Sequence, residues 1–138
     1  MQPFHLAFPV YSLQKTTDFY QKILGCSLGR TDTRWVDINF FGHQISAHLV
    51  DQPIEQMAHN DVDHDQIPVR HFGVVLDWQD WIHLKEKILE LGYPFFLKPK
   101  IRFKGLPGEQ GTFFIKDPSG NCLEFKSFQQ PDMLFATT

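Results

Sequence analysis

The chain has 138 residues with a hydrophobic share of 42%, 14 Phe among them, which suits one packed domain and excludes a disordered chain. A formal charge of −3 offers no field for phosphates, so nucleic acid and anionic membranes are not expected partners. The two cysteines, Cys26 and Cys122, exclude a disulfide framework or a Cys-rich zinc site, and with no basic leader or long apolar run the expected location is cytoplasmic.

In chain order, PFHLAFPV predicts a strand. Next comes a helix with Ser12 as its N-cap, Leu13, Phe19, Tyr20, Ile23 and Leu24 as its apolar set and Gly25 as its stop. Strand patterns follow at SLGR, WVDINFF and QISAHLV. The order then recurs: HFGVVLDW as strand, a helix ending at Gly92, then FFLKPKIRF, TFFIKD and NCLEFKSF as strands. The two openings lie about 66 residues apart, a spacing that suits a duplicated supersecondary module. The expected fold is therefore α+β, a single domain of two βαβββ modules (residues 3–50 and 69–128) with helices on the outer face of a curved mixed sheet. Between the modules, residues 51–68 are acidic, bracketed by Pro and weakly periodic, and read as a linker.

Successive strand residues point to opposite faces. Phe4, Leu6 and Phe8 oppose His5; Ile45, Ala47 and Leu49 oppose His48; Phe72, Val74 and Leu76 oppose His71; Leu123 and Phe125 oppose Glu124. Four strands thus share one relation, an apolar face with a metal-capable side chain behind it. Three imidazoles and one carboxylate suit a divalent ion such as iron, zinc, nickel, cobalt or manganese. Such an ion would also supply the charge that compensates Glu124 inside a sheet. The competing reading is three half-buried histidines and a Glu124 paired with Lys126 or Arg102.

Lys98, Lys100, Arg102 and Lys104 alternate in KPKIRFKG and are expected on one strand face. They form either a solvated edge or an anion clamp for substrate, with Arg102 the best suited by its fork. Trp35 and Asp37 share a face and are candidate pocket residues, although Trp35 fits a core position equally well. The string DVDHDQ has Gln66 where a calcium loop needs Gly and Phe72 where it needs Glu, and is not an EF-hand.

The duplicated order, His5 in the first strand, FYQKILG, the H-x-G-x-x-L opening at His71 and DPSGNCLEF together resemble the vicinal oxygen chelate superfamily, which includes glyoxalase I, bleomycin resistance proteins and extradiol dioxygenases. The resemblance spans about residues 3 to 128. It implies metal ligands on the first and last strands of each half, here His5, His48, His71 and Glu124, with His48 either a fourth ligand or a hydrogen-bond partner of the ligands. The expected activity is a lyase or isomerase on a small, oxygenated, anionic substrate chelated through vicinal oxygens, with Glu124 as the acid–base group and Glu109 as its weaker rival. Two departures bear on chemistry. Glyoxalase I has a carboxylate at the position aligned with His48, and extradiol dioxygenases have a Tyr where this chain has Phe114. A non-haem iron(II) oxygenase using His5, His71 and Glu124 is the alternative, and a ligand-binding protein without turnover is the third. Exposed sheet edges point to a homodimer.

Overall fold

The computed structural model describes residues 1–137 as two compact units, Met1–Val69 with Asp117–Asn121, and Arg70–Lys116 with Cys122 onward. In the first unit β1 (His5–Val10) leads into α1 (Leu13–Asp18), followed by β2 (Ser27–Thr31), β3 (Trp35–Phe40) and β4 (His43–Leu49). They form a mixed sheet of order β1-β4-β3-β2, with β1 parallel to β4. Ser12 caps α1, its Oγ accepting from Lys15 N at 3.2 Å. The single helix expected here changes pitch instead, and Phe19–Ile23 forms a π-helical turn. That widened turn carries Phe19 and Tyr20, both buried, onto the sheet beside Phe8, Val10, Val36, Ile38, Ile45 and Ala47. Each Phe, Val or Ile side chain so removed from water contributes about 1.5–3 kcal/mol. Phe4, expected on this face, stands 63% exposed ahead of the strand.

The segment read as a linker contains a hairpin, β5 (Ala58–Val62) and β6 (Asp65–Val69). Its two-residue turn places Asp63 at φ 49° and His64 at φ 70°, the left-handed pair that a tight twisted hairpin requires. The calcium-loop-like string is therefore a β-turn. Every residue of β5 is exposed, which is why hydrophobic alternation does not reveal it.

The second unit repeats the topology with β7 (Phe72–Val75), α2 (Trp78–Leu91), β8 (Leu97–Arg102), β9 (Gln110–Lys116) and β10 (Cys122–Phe128) in the order β7-β10-β9-β8. Gly92 ends α2 at φ 70°. Trp81, Leu84 and Ile88 of α2 are buried, as are Phe113, Ile115, Leu123 and Phe125 of the sheet. Trp81 Nε1 donates to Phe125 O at 2.9 Å, satisfying the one polar atom of its ring. Among the described residues no helix is long and apolar enough to cross a membrane.

Candidate functional site

His71 immediately precedes β7, and Glu124 lies on the adjacent β10 opposite Gly73. The diagonal brings His71 Nε2 to 3.2 Å from Glu124 Oε1, with the two side chains 27% and 18% exposed. The approach depends on Gly73, since a Cβ there would fall 1.6 Å from the Glu124 carbonyl oxygen. The second residue of H-x-G is thus a requirement of strand spacing. Thr112 on β9 donates its hydroxyl to Glu124 Oε2 at 2.6 Å, so one carboxylate oxygen is anchored and the other faces the imidazole. Burial pushes the Glu124 carboxyl up, but the hydrogen bonds from His71 and Thr112, with the charge of Lys126, outweigh it and hold the group below its ordinary value of 4.5. The carboxylate is ionised at neutral pH, paired with His71 rather than with Arg102.

The face that carries Glu124 also carries a cationic row. Lys126 and Lys100 both stand opposite Thr112, from β10 and β8 respectively, and Arg102 is opposite Gln110. The four cations expected on one face do not all lie there. A bulge between Leu97 and Lys100 shifts the alternation, turning Lys98 from the face of Lys100 and Arg102, and Lys104 lies beyond the end of β8. Glu109 accepts from Gly105 N at 2.9 Å, so the rival acid–base candidate closes its own loop.

In the first unit, His5 stands opposite Gln44 and His48 stands opposite Pro9. The two histidines share a face but are four residues apart along the strand pair, roughly 13 Å. The register supplies an internal comparison. Glu124 faces the residue two beyond His71, and in the first unit the residue two beyond His5 is Ala7, which faces Ser46. Ser46 therefore occupies the place of Glu124, and His48 that of Lys126. Alternation assigns His48 and Ser46 to one face equally well, and only register separates them. Ser46 Oγ donates to Asp37 Oδ1 at 2.6 Å, so the carboxylate of this half stands on β3, opposite Ser46. Trp35, half-buried, lies 5.8 Å beneath the Arg30 guanidinium. Among the described residues no three His, Cys, Asp or Glu side chains gather at one point.

The sequence reading missed the role of Asp117 in DPSGN. Its carboxylate accepts from Ser119 N and Asn121 N at 2.9 Å, Asn121 Nδ2 at 2.9 Å and the Tyr20 hydroxyl at 3.1 Å. Asn121 Nδ2 also donates to Pro9 O at 2.8 Å. This part of the motif is structural, a buried knot three residues before Glu124. A D-P-x-G-N string is itself the signal for such a turn.

A family model described as Glyoxalase/Bleomycin resistance protein/Dioxygenase superfamily matches residues 2–125. A glyoxalase/bleomycin resistance protein/dioxygenase from Alicyclobacillus acidocaldarius is similar at 34% identity, with a TM-score of 0.80 over 97% of this chain and 96% of that one. A fosfomycin resistance protein from Listeria monocytogenes shares the fold at 18% identity and a TM-score of 0.70, over 97% and 98% of the two chains. The fold is also that of lactoylglutathione lyase from Agrobacterium tumefaciens, at 15% identity and a TM-score of 0.62 over 91% and 92%.

Proposed function

The chain belongs to the glyoxalase/bleomycin resistance protein/dioxygenase superfamily, and from that premise we propose a metal-dependent lyase or isomerase acting on a small oxygenated anion held through vicinal oxygens. Members of the superfamily generally use a divalent metal and bind small molecules. The observation that carries the reading is the His71–Glu124 pair at 3.2 Å. An imidazole nitrogen and an ionised carboxylate oxygen, brought together on one sheet face, are donors of the type that iron, zinc, nickel, cobalt or manganese takes.

In this reading His71 and Glu124 are ligands, and His5 is the third, from the same chain or from a second copy in a homodimer. His48 is not among them and faces the substrate. When bound, the ion supplies Lewis-acid polarisation of the substrate oxygens. The chain supplies the rest. Thr112 fixes the Glu124 carboxylate, Glu124 is the proton-transfer group, and Lys126, Lys100 and Arg102 offset the substrate's negative charge, Arg102 through its bidentate fork. Cys26 and Cys122, both buried and not joined in a disulfide, agree with a reducing, cytoplasmic setting.

The same set of two histidines and one carboxylate, left once Ser46 takes the register position of Glu124, is also the facial arrangement used by non-haem iron(II) oxygenases, and supports such an enzyme as a second reading.

Elemental analysis of the chain purified without chelator tests the site. About one metal per chain, lost in Glu124→Ala and in His71→Ala, is the expected result. Unchanged metal content in both variants would overturn the ligand assignment, and no metal even after reconstitution would leave a binding protein. Iron together with oxygen uptake would select the second reading over the first.

A further inference from the structure

The first unit holds an open, mostly apolar pocket of 460 Å³ into which Arg30, Asp37, Asn39 and Gln44 bring polar groups, within the roughly 300–1,000 Å³ in which small ligands are held. We propose that this pocket receives a small molecule carrying a hydrogen-bond donor one carbon from a carboxylate, the chemistry shared by α-amino and α-hydroxy acids. Asp37 accepts from the donor and Arg30 pairs with the carboxylate. The assignment rests on the enzymatic reading in one respect, that this ligand is one end of the substrate; the binding itself requires no metal.

Asp37 is the starting point because its two oxygens are unequal. The residue is 7% exposed. Oδ1 receives the Ser46 hydroxyl at 2.6 Å, a short bond that fixes the carboxylate plane. Among the described residues Oδ2 has only Gln44 Nε2 at 3.5 Å and Arg30 Nε at 3.8 Å, both outside the 2.7–3.2 Å of a good N–H···O bond. A carboxylate has roughly four acceptor sites, and an enclosed one with distant donors gains from a closer donor. Oδ2 is thus a preformed acceptor.

The other half of the pocket is Arg30. Its side chain is 85% exposed and rests over the Trp35 ring, so it can move to meet a ligand without disturbing the core. It reaches the pocket because β2 is bulged between Leu28 and Thr31, a device that re-aims a side chain on an edge strand. The neighbouring residue keeps the entrance clear: at Gly29 a Cβ would lie 3.2 Å from the Asp37 Cβ, with any longer side chain over the carboxylate. An acceptor and a cation 3.8 Å apart match a ligand whose donor and carboxylate are joined through one carbon. A simple carboxylate lacks the donor for Asp37, and a dianion without a donor is repelled by it. His5 stands opposite Gln44 on this same face, which sets one end of the pocket beside the histidine of the proposed metal site.

The test is a titration of the isotope-labelled full chain with L-alanine, L-lactate and propionate, followed by amide NMR. L-alanine or L-lactate at millimolar concentration should shift the amides of Gly29, Asn39 and Gln44, while propionate should not. Shifts with L-alanine alone identify an ammonium donor, and shifts with L-lactate alone a hydroxyl donor; either supports the proposal. Asp37→Asn, which keeps an acceptor for Ser46, should weaken the binding about tenfold or more. Arg30→Gln changes an exposed side chain and so preserves the test should the Asp37 variant fold poorly; it should weaken binding of both acids. Equal binding of propionate, unchanged affinity in the variants, or no shift with any of the three compounds overturns the proposal. Metal content of the same sample is read separately, so failure here and failure of the metal site remain distinguishable.

Discussion

Replacing Asp117 by Ala should remove the buried acceptor around which the Asp117–Asn121 turn is tied. The residue is 4% exposed and accepts from the backbone N–H groups of Ser119 and Asn121, from Asn121 Nδ2 and from the Tyr20 hydroxyl. Two of these donors recover cheaply, because Ser119 reaches solvent and Asn121 Nδ2 retains Pro9 O. The Asn121 N–H and the Tyr20 hydroxyl are enclosed and do not. At about 1–3 kcal/mol for each buried group left unsatisfied, the loss is about 2–6 kcal/mol, a large share of the 5–15 kcal/mol typical of a domain. Urea denaturation should show a lower midpoint at an unchanged slope. Asp117→Asn keeps one acceptor oxygen and should lose less. The pair also reports on pH. Burial raises the Asp117 carboxyl above its ordinary 3.8, against the hydrogen bonds from Asn121, Ser119 and Tyr20 that lower it. The native state then holds the proton more tightly than the unfolded state, so this group's contribution falls as pH rises through the window between 3.8 and the raised value. Relative to Asp117→Asn, the parent should gain stability as pH drops from neutral towards 3.8. An Asp117→Ala chain within about 1 kcal/mol of the parent, or parent and Asn curves that stay parallel in pH, would refute the reasoning.

Other expectations follow from the second unit. Gly73→Ala puts a Cβ where only 1.6 Å separates it from the Glu124 carbonyl oxygen, so β7 must withdraw from β10; thermal denaturation should register about 1–3 kcal/mol of destabilisation, and metal affinity should fall with it. A variant that melts and binds metal like the parent would contradict this. Thr112→Val frees Glu124 Oε2 from its 2.6 Å hydrogen bond and should weaken metal binding by about 10–100-fold, with Thr112→Ser restoring it; equal affinities in Val and Ser variants would exclude an orienting role. In metal-free protein, the lowered Glu124 carboxyl contributes stability that is present above 4.5 and lost as pH falls through its folded-state value. The parent's advantage over Glu124→Gln should therefore vanish on acidification, and an advantage that persists below that range would disprove the pairing.

The strand faces, the cap at Ser12, the stop at Gly92 and the duplicated order were legible in the chain itself, because side-chain period, capping and turn chemistry are local properties. His71 and Glu124 were singled out the same way, each behind an apolar face, and the structure sets them 3.2 Å apart. Which residue stands opposite which is a different kind of fact. Alternation has a period of two, so His48 and Ser46 satisfy it equally, and only the hydrogen-bonded register of β1 with β4 sets Ser46 in the place that Glu124 holds in the second sheet. The bulge in β8 broke the alternation that grouped Lys98 with Arg102, and the bulge in β2 carries Arg30 to Asp37. The hairpin at residues 58–69 and the knot at Asp117 were hidden for the same reason. Exposed strands bury no periodic apolar set, and the four donors around Asp117 include Tyr20, 97 residues away in sequence. Local chemistry decided which elements form; pairing between distant strands decided which side chains meet.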